Sequence, residues 1–436
     1  MSPGSFLPAP TPLAIEVSPT AIPLSASVRL SGRPPLIVHV VFRFGIGGLE
    51  NGIVNLINRM PPSQWRHAVV ALTEVSAEFA TRIDRPDVRC IALGKKDGHL
   101  VREYPRLFRL LRELEPAVVH TRNLAALEAV VPAWAAGVPV RIHGEHGWDM
   151  QDPAGKRRRY RHVRRLYRPF VNRYIALSHH LEDYLEQHVG IPRERISQIY
   201  NGVDTERFRP SRGGRPAIAG CPFDEPGVWL IGTVGRMEGI KDPLNLTHAF
   251  VRAHALDPVA ARQMRLIFVG DGTLRAEAQQ VLERAGLAKL VWFAGERADV
   301  PDIMRGLDCF VLPSLAEGVS NTILEAMATG LPVIATRVGG NSELIESAMT
   351  GTLVSPANSD ALADAILAYF HDRMTARRHA KAAYRAVEAR FSLKRMVLDY
   401  TRVYERELKA VGTHVPPPDL ESAGGLPAAD TRAAPN

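Results

Sequence analysis

Two series of short apolar runs, each alternating with helical patterns, constrain the fold of this 436-residue chain more than any other feature. The runs show little polar alternation, as expected for strands that are buried on both faces of a parallel sheet. In the first series they occupy residues 35–42, 67–73, 117–121, 138–144 and 173–178. In the second series they occupy residues 228–235, 265–270, 291–295, 309–314, 332–336 and 352–356. Because strands that alternate with helices form doubly wound parallel sheets, the sequence predicts an α/β fold with two Rossmann-like domains.

The two series are separated by a stretch rich in glycine, proline and arginine, RFRPSRGGRPAIAGCPFDEPG, which shows no periodicity and is predicted to be a linker. Both ends of the chain are rich in proline and alanine and are predicted to be disordered tails. The predicted parts are a tail at 1–33, an N-terminal domain at 34–206, the linker at 207–227, a C-terminal domain at 228–392, a helix at 393–410 and a tail at 411–436. Ligands of open α/β sheets bind beyond the carboxyl ends of the strands. Two facing domains therefore predict a ligand site in the cleft between them.

The composition favours a globular protein of a reducing compartment. Hydrophobic residues make up 46% of the chain and charged residues 23%, which is typical of soluble globular proteins. The three cysteines, Cys90, Cys221 and Cys309, are scattered and odd in number, so neither a disulfide framework nor a metal site is expected. The N-terminal segment lacks the pattern of a signal peptide, and the most apolar run, 126–140, is too short and too broken to span a bilayer. We therefore expect a cytoplasmic location.

A local concentration of positive charge calls for a partner. The net charge is +8, and the stretch KRRRYRHVRRLYRPFVNR (156–173) holds nine Lys or Arg residues and no acid. Apolar and aromatic residues recur among the arginines at helical spacing, a pattern found in helices that lie on anionic membranes. The predicted membrane-docking residues are Arg157, Arg158, Arg159, Arg164 and Arg165. A solvated helix face is the simpler alternative, and nucleic acid is disfavoured as a partner because no recognised nucleic-acid-binding fold accompanies the patch.

Two glutamates bracket the start of a predicted helix in EGVSNTILEAMATGLPVIAT (317–336). Ser320 is a suitable N-cap, and Gly330 suits the end of the helix. The N–H groups of Asn321, Thr322 and Ile323 would then form an anion site, with the two glutamates on either side of it. Carboxylates beside an anion site are best explained if Glu317 and Glu325 accept hydrogen bonds from hydroxyl groups. A nucleotide sugar offers an anion between a ribose and a second sugar.

The same segment resembles the E-x7-E motif of retaining GT-B glycosyltransferases of family 4. Further resemblances follow in the order of the family, over about residues 35–408. They are YNGVDTERF (200–208), GTVGRMEGIKD (232–242), VGDGTLR (269–275), FAGERADVPDIM (293–304), VGGNSELI (338–345) and RFSLKRMVLDYTRVYEREL (390–408). The resemblance implies two Rossmann-like domains that face a central cleft, with an N-terminal acceptor domain, a C-terminal donor domain and a last helix that crosses back to the first domain.

The family resemblance also implies roles for single residues. Arg236 and Lys241 would bind the donor diphosphate, whose negative charge grows as the glycosidic bond breaks. Glu325 would hold the ribose, and Glu317 the transferred sugar. The other implied donor-binding residues are Gly47, Gly48, Arg297, Gly318, Val319, Ser320, Asn321 and Thr322. An active-site histidine beside the sugar would be His146 or, as the alternative, His143. The implied co-substrate is a UDP- or GDP-sugar, without a metal.

The expected function is transfer of a sugar, with retention, from a nucleotide sugar to a glycan or a lipid-linked acceptor. The implied pathway is synthesis of an exopolysaccharide or another cell-surface glycan, and the chain also resembles the sugar transferases of PEP-CTERM exopolysaccharide systems. The alternatives are a related nucleotide-sugar epimerase or phosphorylase, and a non-catalytic basic adaptor. An adaptor would bind anionic surfaces without being stabilised by nucleotides.

Overall fold

The computed structural model describes residues 33–96, 98–147, 157–413 and 415–416, together with 15–16, Asp152 and Gly155. The predicted tails at 1–33 and 411–436 therefore lie largely outside the described residues. Within them, Ile15–Glu16 forms a two-residue strand that pairs with the edge of the first sheet.

The first sheet contains eight parallel strands in the order β1-β4-β3-β2-β5-β6-β7-β8. They are β1 (Ile15–Glu16), β2 (Leu36–Val41), β3 (Arg66–Ala71), β4 (Arg89–Ala92), β5 (Val118–Arg122), β6 (Val140–Glu145), β7 (Arg173–Ala176) and β8 (Ile196–Gln198). Every residue of β2 and β5 is buried, which explains their continuous apolar character. The strand order reverses between β2 and β5, so a crevice opens beyond their carboxyl ends.

The second sheet contains six parallel strands in the order β11-β10-β9-β12-β13-β14. They are β9 (Trp229–Val234), β10 (Met264–Val269), β11 (Val291–Gly295), β12 (Cys309–Leu312), β13 (Val333–Thr336) and β14 (Thr352–Val354). The order reverses between β9 and β12, so the loops that follow these two strands border the second crevice. The prediction of two doubly wound parallel sheets is confirmed.

Sixteen α-helices cover the sheets within the described part of the chain. In the first half they are α1 (Gly48–Arg59), α2 (Ala77–Ala80), α3 (Tyr104–Leu114), α4 (Leu124–Leu127), α5 (Val130–Ala135), α6 (Arg158–Tyr167) and α7 (His179–Tyr184). In the second half they are α8 (Pro243–Leu256), α9 (Pro258–Gln263), α10 (Arg275–Arg284), α11 (Val300–Arg305), α12 (Asn321–Ala328), α13 (Asn341–Leu344), α14 (Ser359–His371), α15 (Arg373–Arg390) and α16 (Leu393–Ala410). None of the helices that the structure describes is both long enough and apolar enough to cross a membrane.

The last helix returns to the first domain, as predicted. One face of α16 is buried in the same apolar cluster as β2 and β5. The ring of Tyr404 lies 5.9 Å from that of Trp65, between centroids, and its hydroxyl is hydrogen-bonded to His120 at 2.8 Å. The chain crosses between the domains at Phe391–Leu393, where Val203 donates to the Phe391 carbonyl at 2.8 Å and accepts from the Leu393 amide at 3.1 Å. Burial of the apolar face, rather than the connecting loop, holds the helix in place.

The stretch predicted as a linker has neither helix nor strand, yet it is not free of the domains. Three of its side chains are buried, namely Phe208, Ile218 and Phe223. They belong to the same apolar cluster as residues of β12 and α12. A stretch without periodicity can therefore still be anchored, because single aromatic and aliphatic residues bury apolar area without forming a regular element.

Candidate active site

The loops at the carboxyl ends of the two sheets meet across a cleft. A Cβ on Gly48, at the start of α1, would lie 2.7 Å from the Asn321 side-chain nitrogen at the start of α12. A Cβ on Gly318 would lie 2.9 Å from the Gly147 Cα of the first domain. Asn201 donates to the Asn321 side-chain oxygen at 2.7 Å. Beside these contacts lies a cavity of about 700 Å³.

The cavity has walls from both domains. Residues of α1, the segment after β8, and α12 line it, among them Gly48, Asn55, Arg207, Arg297, Asn321 and Glu325. The structure thus brings together predicted residues of both domains, Gly48 from the first and Arg297, Asn321 and Glu325 from the second. Its volume lies within the ordinary range of small-molecule sites.

The N-terminus of α12 has the predicted cap, with one difference. Ser320 precedes the helix, and its hydroxyl accepts from the Ile323 amide at 3.4 Å. The prediction that the Ile323 N–H is available to an anion is therefore wrong, because the cap already uses it. Asn321 and Thr322 retain amides at the helix terminus that no cap occupies, which leaves a smaller anion site than expected.

Glu317, in the loop that follows β12, forms an ion pair with Lys241, which lies between β9 and α8. Lys241 Nζ lies 2.6 Å from Glu317 Oε1, and the same oxygen accepts from the Ser314 hydroxyl at 2.7 Å. Behind Glu317, Gly339 packs so closely that a Cβ there would lie 1.8 Å from the Glu317 carbonyl oxygen. With φ at +47°, position 339 also has a backbone conformation that favours glycine. The Glu317 carboxylate is thus oriented from two sides.

Arg236 stands in the loop after β9, exposed and without an ion-pair partner among the described residues. The backbone of this loop is supported by two glycines of the GDG sequence, Gly270 and Gly272, which are not among the predicted site residues. A Cβ on Gly270 would lie 2.1 Å from the Gly235 carbonyl, and one on Gly272 would lie 2.5 Å from that of Met237. The spacing of two glycines after a strand is the signal that could have indicated this close approach.

Glu325 faces the cavity, and its carboxylate has no hydrogen-bond or ion-pair partner among the described residues. Burial raises the pKa of its carboxyl from 4.5 to about 7, although the charge of Arg207 opposes the rise. Arg297, further along the cavity wall, pairs with Asp299 at 2.6 Å and lies over the ring of Trp292. Burial therefore makes the ionised form of Glu325 unfavourable, and its carboxylate oxygens accept no hydrogen bond from the described residues.

The two candidate histidines have different surroundings. His143 is fully buried, with its ring nitrogens 2.8 Å from the Thr121 hydroxyl and 3.3 Å from Glu145 Oε1. His146 follows β6, and its carbonyl lies against Gly318 of the second domain. Its Nε2 is buried without a described partner, and burial together with the charge of Arg122 lowers the pKa of the ring. Of the two, only His146 lies at the boundary between the domains.

The glycine loop before α1 contacts the same region. Gly47 precedes the helix, and a Cβ there would lie 2.1 Å from the Glu50 carboxylate, which folds back over the loop. Burial raises the pKa of Glu50, and the charge of Arg122 opposes this rise. Gly48 therefore lets the start of α1 approach α12 closely, and Gly47 leaves room for the Glu50 carboxylate.

Most of the basic stretch forms α6. For one of its five predicted docking residues, Arg164, the prediction of membrane docking is wrong. Arg157, Arg158, Arg159 and Arg165 are exposed. Arg164 is only 4% exposed, and its Nε lies 2.5 Å from Glu145 Oε1 in a buried ion pair. Burial disfavours an ionised Glu145, but the charge of Arg164 and the hydrogen bonds from His143 and Arg164 outweigh it and lower the pKa of that carboxyl. Arg164 points into the protein because i, i+4 spacing places it on the same face as the buried Tyr160.

Among the described residues, no group of three or more His, Cys, Asp or Glu side chains is arranged to hold a metal ion.

Comparisons with known proteins agree with this arrangement. Residues 46–207 match the family described as Glycosyltransferase Family 4, and residues 229–372 match the family described as Glycosyl transferases group 1. Together the two matches span more than half of the chain. The chain belongs to the family 4 glycosyltransferases. It is therefore an enzyme of the hexosyl-transferring type, which confirms the family expected from its motifs.

Several relatives are named for particular sugars. The chain is 28% identical, over 62% of its length and 70% of the relative, to a UDP-Gal:alpha-D-GlcNAc-diphosphoundecaprenol alpha-1,3-galactosyltransferase of Escherichia coli. It is 29% identical, over 79% of its length and 89% of the relative, to a GDP-mannose-dependent alpha-mannosyltransferase of Mycobacterium tuberculosis. Similar family 4 glycosyltransferases thus differ in donor base and in sugar.

Solved structures share the fold. HepE of Anabaena, determined with UDP and glucose, superposes with a TM-score of 0.70 at 22% identity and covers 84% of this chain and 98% of its own. Sucrose-phosphate synthase of Thermosynechococcus elongatus superposes with a TM-score of 0.69 at 21% identity and covers 86% of this chain and 100% of its own. At these identities the likeness concerns the GT-B fold alone.

Proposed function

We propose that this glycosyltransferase moves a sugar, with retention of anomeric configuration, from a UDP- or GDP-sugar to a glycan or lipid-linked acceptor. One observation carries the proposal. The Glu317–Lys241 pair and the exposed Arg236 border the loops of the second crevice, and Glu325, one turn into α12, keeps an unpaired carboxylate beside the cavity. This combination suits a molecule that has a diphosphate between two hydroxyl-bearing groups.

The proposed roles follow from charge. Arg236, Lys241 and the amides of Asn321 and Thr322 bind the diphosphate and stabilise the charge that develops as it leaves. Preorganised cations in this position supply the electrostatic stabilisation for which other enzymes use a metal, so we propose a reaction without one. When the diphosphate binds, Lys241 divides its charge between the phosphate and Glu317, and Glu317 is held ready to accept from the hydroxyls of the sugar.

The acceptor enters from the side of the first domain. His146 and the loop of Gly47 and Gly48 border the sugar position from that side, and Gly318, Val319 and Ser320 supply backbone around it. We propose that the acceptor attacks the face from which the diphosphate departs, which gives retention in one step, and that a departing phosphate oxygen takes the acceptor proton. No second carboxylate is needed as a nucleophile in this course.

We propose synthesis of an exopolysaccharide or cell-surface glycan as the pathway, of the PEP-CTERM-associated type. The relative that acts on a diphosphoundecaprenol-linked sugar supports a lipid-linked acceptor. The surface of the first domain supports a position on the inner face of an anionic membrane. Leu166, in α6 itself, is 67% exposed, and Trp134, which packs against Phe170 just after α6, is 55% exposed. Basic side chains next to exposed apolar ones are suited to a bilayer surface.

The test separates donor binding from transfer. Glu317→Ala should abolish transfer and leave nucleotide affinity close to that of the wild type, whereas Glu325→Ala should weaken nucleotide binding itself. A thermal-shift panel of UDP, GDP, ADP and their sugar conjugates first identifies the nucleotide that binds. A nucleotide at about 100 times its Kd stabilises the folded protein by about 2.7 kcal/mol, which raises the melting temperature. Glu283→Gln, on the exposed face of α10, is the matched control. Equal loss of nucleotide affinity in both alanine variants would overturn the division of roles.

A further inference from the structure

Glu343 connects the two domains through its carboxylate. It lies in α13 of the second domain, just after the glycine pair at 339 and 340. Its Oε2 accepts from the His179 amide at 2.8 Å and from the Tyr200 hydroxyl at 2.8 Å, and its Oε1 accepts from the His180 amide at 2.9 Å. All three donors lie outside the second domain. We call this set of contacts the interdomain anchor.

The segment that carries Glu343 also supports the candidate catalytic loop. The Gly340 amide donates to the Gly318 carbonyl at 2.8 Å. Gly339 packs against the backbone of Glu317, where no Cβ would fit. The buried side chain of Asn341 donates to the Thr336 carbonyl at 3.1 Å, which ties the segment to the end of β13. The segment that carries Glu343 is therefore joined directly to the backbone of Glu317 and Gly318.

The other end of the anchor lies where the chain crosses between the domains. The ring of Tyr200 packs edge-on against Phe391, with centroids 5.1 Å apart, and Arg390 lies over its face. Burial and the nearby Glu343 carboxylate raise the pKa of Tyr200, so its hydroxyl stays protonated and remains a donor. Because the crossing at Phe391–Leu393 pairs with Val203, Tyr200 is held close to the point about which the domains would turn.

We propose that Glu343 is a positioning residue that holds the two domains together across the cleft and thereby places the Glu317 loop against the first domain. Three hydrogen bonds to the two oxygens of one carboxylate restrict the geometry of the interface as well as giving attraction, since each bond is directional. The loop contact at Gly318 and His146 can form only while the domains keep this separation. The catalytic consequence rests on the proposed role of Glu317, but the structural role does not.

The experiment compares Glu343→Ala, Glu343→Gln and Tyr200→Phe in the full chain. Alanine removes every acceptor of the anchor, glutamine keeps one carboxamide oxygen, and phenylalanine removes a single donor. Glu346→Gln is the matched control, because Glu346 lies three residues away and is exposed. Small-angle X-ray scattering reports the radius of gyration, nucleotide titration reports the Kd, and turnover reports transfer.

We expect Glu343→Ala to increase the radius of gyration and to lower kcat at least about tenfold, as befits loss of several hydrogen bonds to a charge. The nucleotide Kd should not change, because Arg236, Lys241 and Glu325 remain in place within the second domain. Glu343→Gln and Tyr200→Phe should give a radius of gyration and a kcat between those of Glu343→Ala and the wild type. These two variants test the proposal if Glu343→Ala does not fold. Scattering identical to that of the wild type in all three variants would overturn the proposal. If no nucleotide sugar is turned over by the wild type, the proposed function fails, while scattering still decides the role of Glu343.

Discussion

Replacing Glu325 by glutamine should change the stability of the protein and its affinity for nucleotide in opposite directions. Burial raises the pKa of this carboxyl from 4.5 to about 7. At a pH between these two pKa values, the folded protein binds more protons than the unfolded chain. The contribution of Glu325 to stability therefore falls as the pH rises. Each pKa unit corresponds to about 1.36 kcal/mol. At pH 8 the raised pKa of Glu325 therefore lowers the free energy of unfolding by about 3 kcal/mol.

Glutamine has nearly the same shape and cannot ionise. We therefore expect Glu325→Gln to be up to about 3 kcal/mol more stable than the wild type at pH 8 and to show little advantage near pH 4.5. The nucleotide should behave in the opposite way. Ribose hydroxyls donate to the ionised carboxylate in our proposal, and a hydrogen bond to a charged group contributes about 1.5–3 kcal/mol, so the variant should lose at least about tenfold in affinity at pH 8.

The assay is a series of thermal and denaturant melts at pH 5, 6, 7 and 8, with and without the nucleotide that the thermal-shift panel identifies. In the wild type, nucleotide affinity should rise as the pH passes through about 7, and in Glu325→Gln this dependence should disappear. Glu283→Gln, on the surface of α10, controls for the loss of one acidic charge. A Glu325→Gln variant that is less stable than the wild type at pH 8, or whose stability difference is the same at pH 5 and pH 8, would refute the reasoning.

Two further predictions concern the basic helix. Arg164→Met should lower the free energy of unfolding by about 3–5 kcal/mol, because it leaves Glu145 charged and buried without its partner; urea denaturation checks this, and a loss below about 1 kcal/mol, as found for surface ion pairs, would contradict it. Replacing the four exposed docking arginines by serine should release the protein from anionic vesicles, since each contributes about 1 kcal/mol near such a surface. Those four are Arg157, Arg158, Arg159 and Arg165. The control replaces four exposed basic residues of α15, namely Arg377, Arg378, Lys381 and Arg385. Equal sedimentation of both variants with the vesicles would argue against docking through α6.

The strands that could be predicted are those with a continuous apolar sequence. Strands β2 and β5 are buried on both faces, so burial is visible in every residue, and β9 is buried over its first four residues. The short strands β1, β4 and β8 are not predicted, because runs of two to four residues are too short for the pattern to be recognised. The places of β4 and β8 in the sheet are set by pairing with β3 and β7, which the sequence of each short strand does not contain.

The candidate site divides in the same way. Ser320 as the cap of α12 and Glu325 one turn inside the helix could be predicted, since capping and helical spacing involve neighbours in the chain. The ion pair of Lys241 with Glu317 and the contacts of Glu343 with Tyr200 join residues far apart in sequence. The ion pair of Arg164 with Glu145 also joins two elements, α6 and β6. The sequence of α6 alone therefore does not predict that Arg164 is buried.

The sequence by itself thus determined the two doubly wound domains, the cap of α12 and the order of the motifs, because periodicity and capping are local properties of the chain. Only the tertiary structure decided which charges are paired, which histidine lies at the boundary between the domains and where Glu325 acquires its raised pKa. Those properties depend on which distant groups share one buried space, and the free energy of a buried charge is set by that space rather than by its neighbours in sequence.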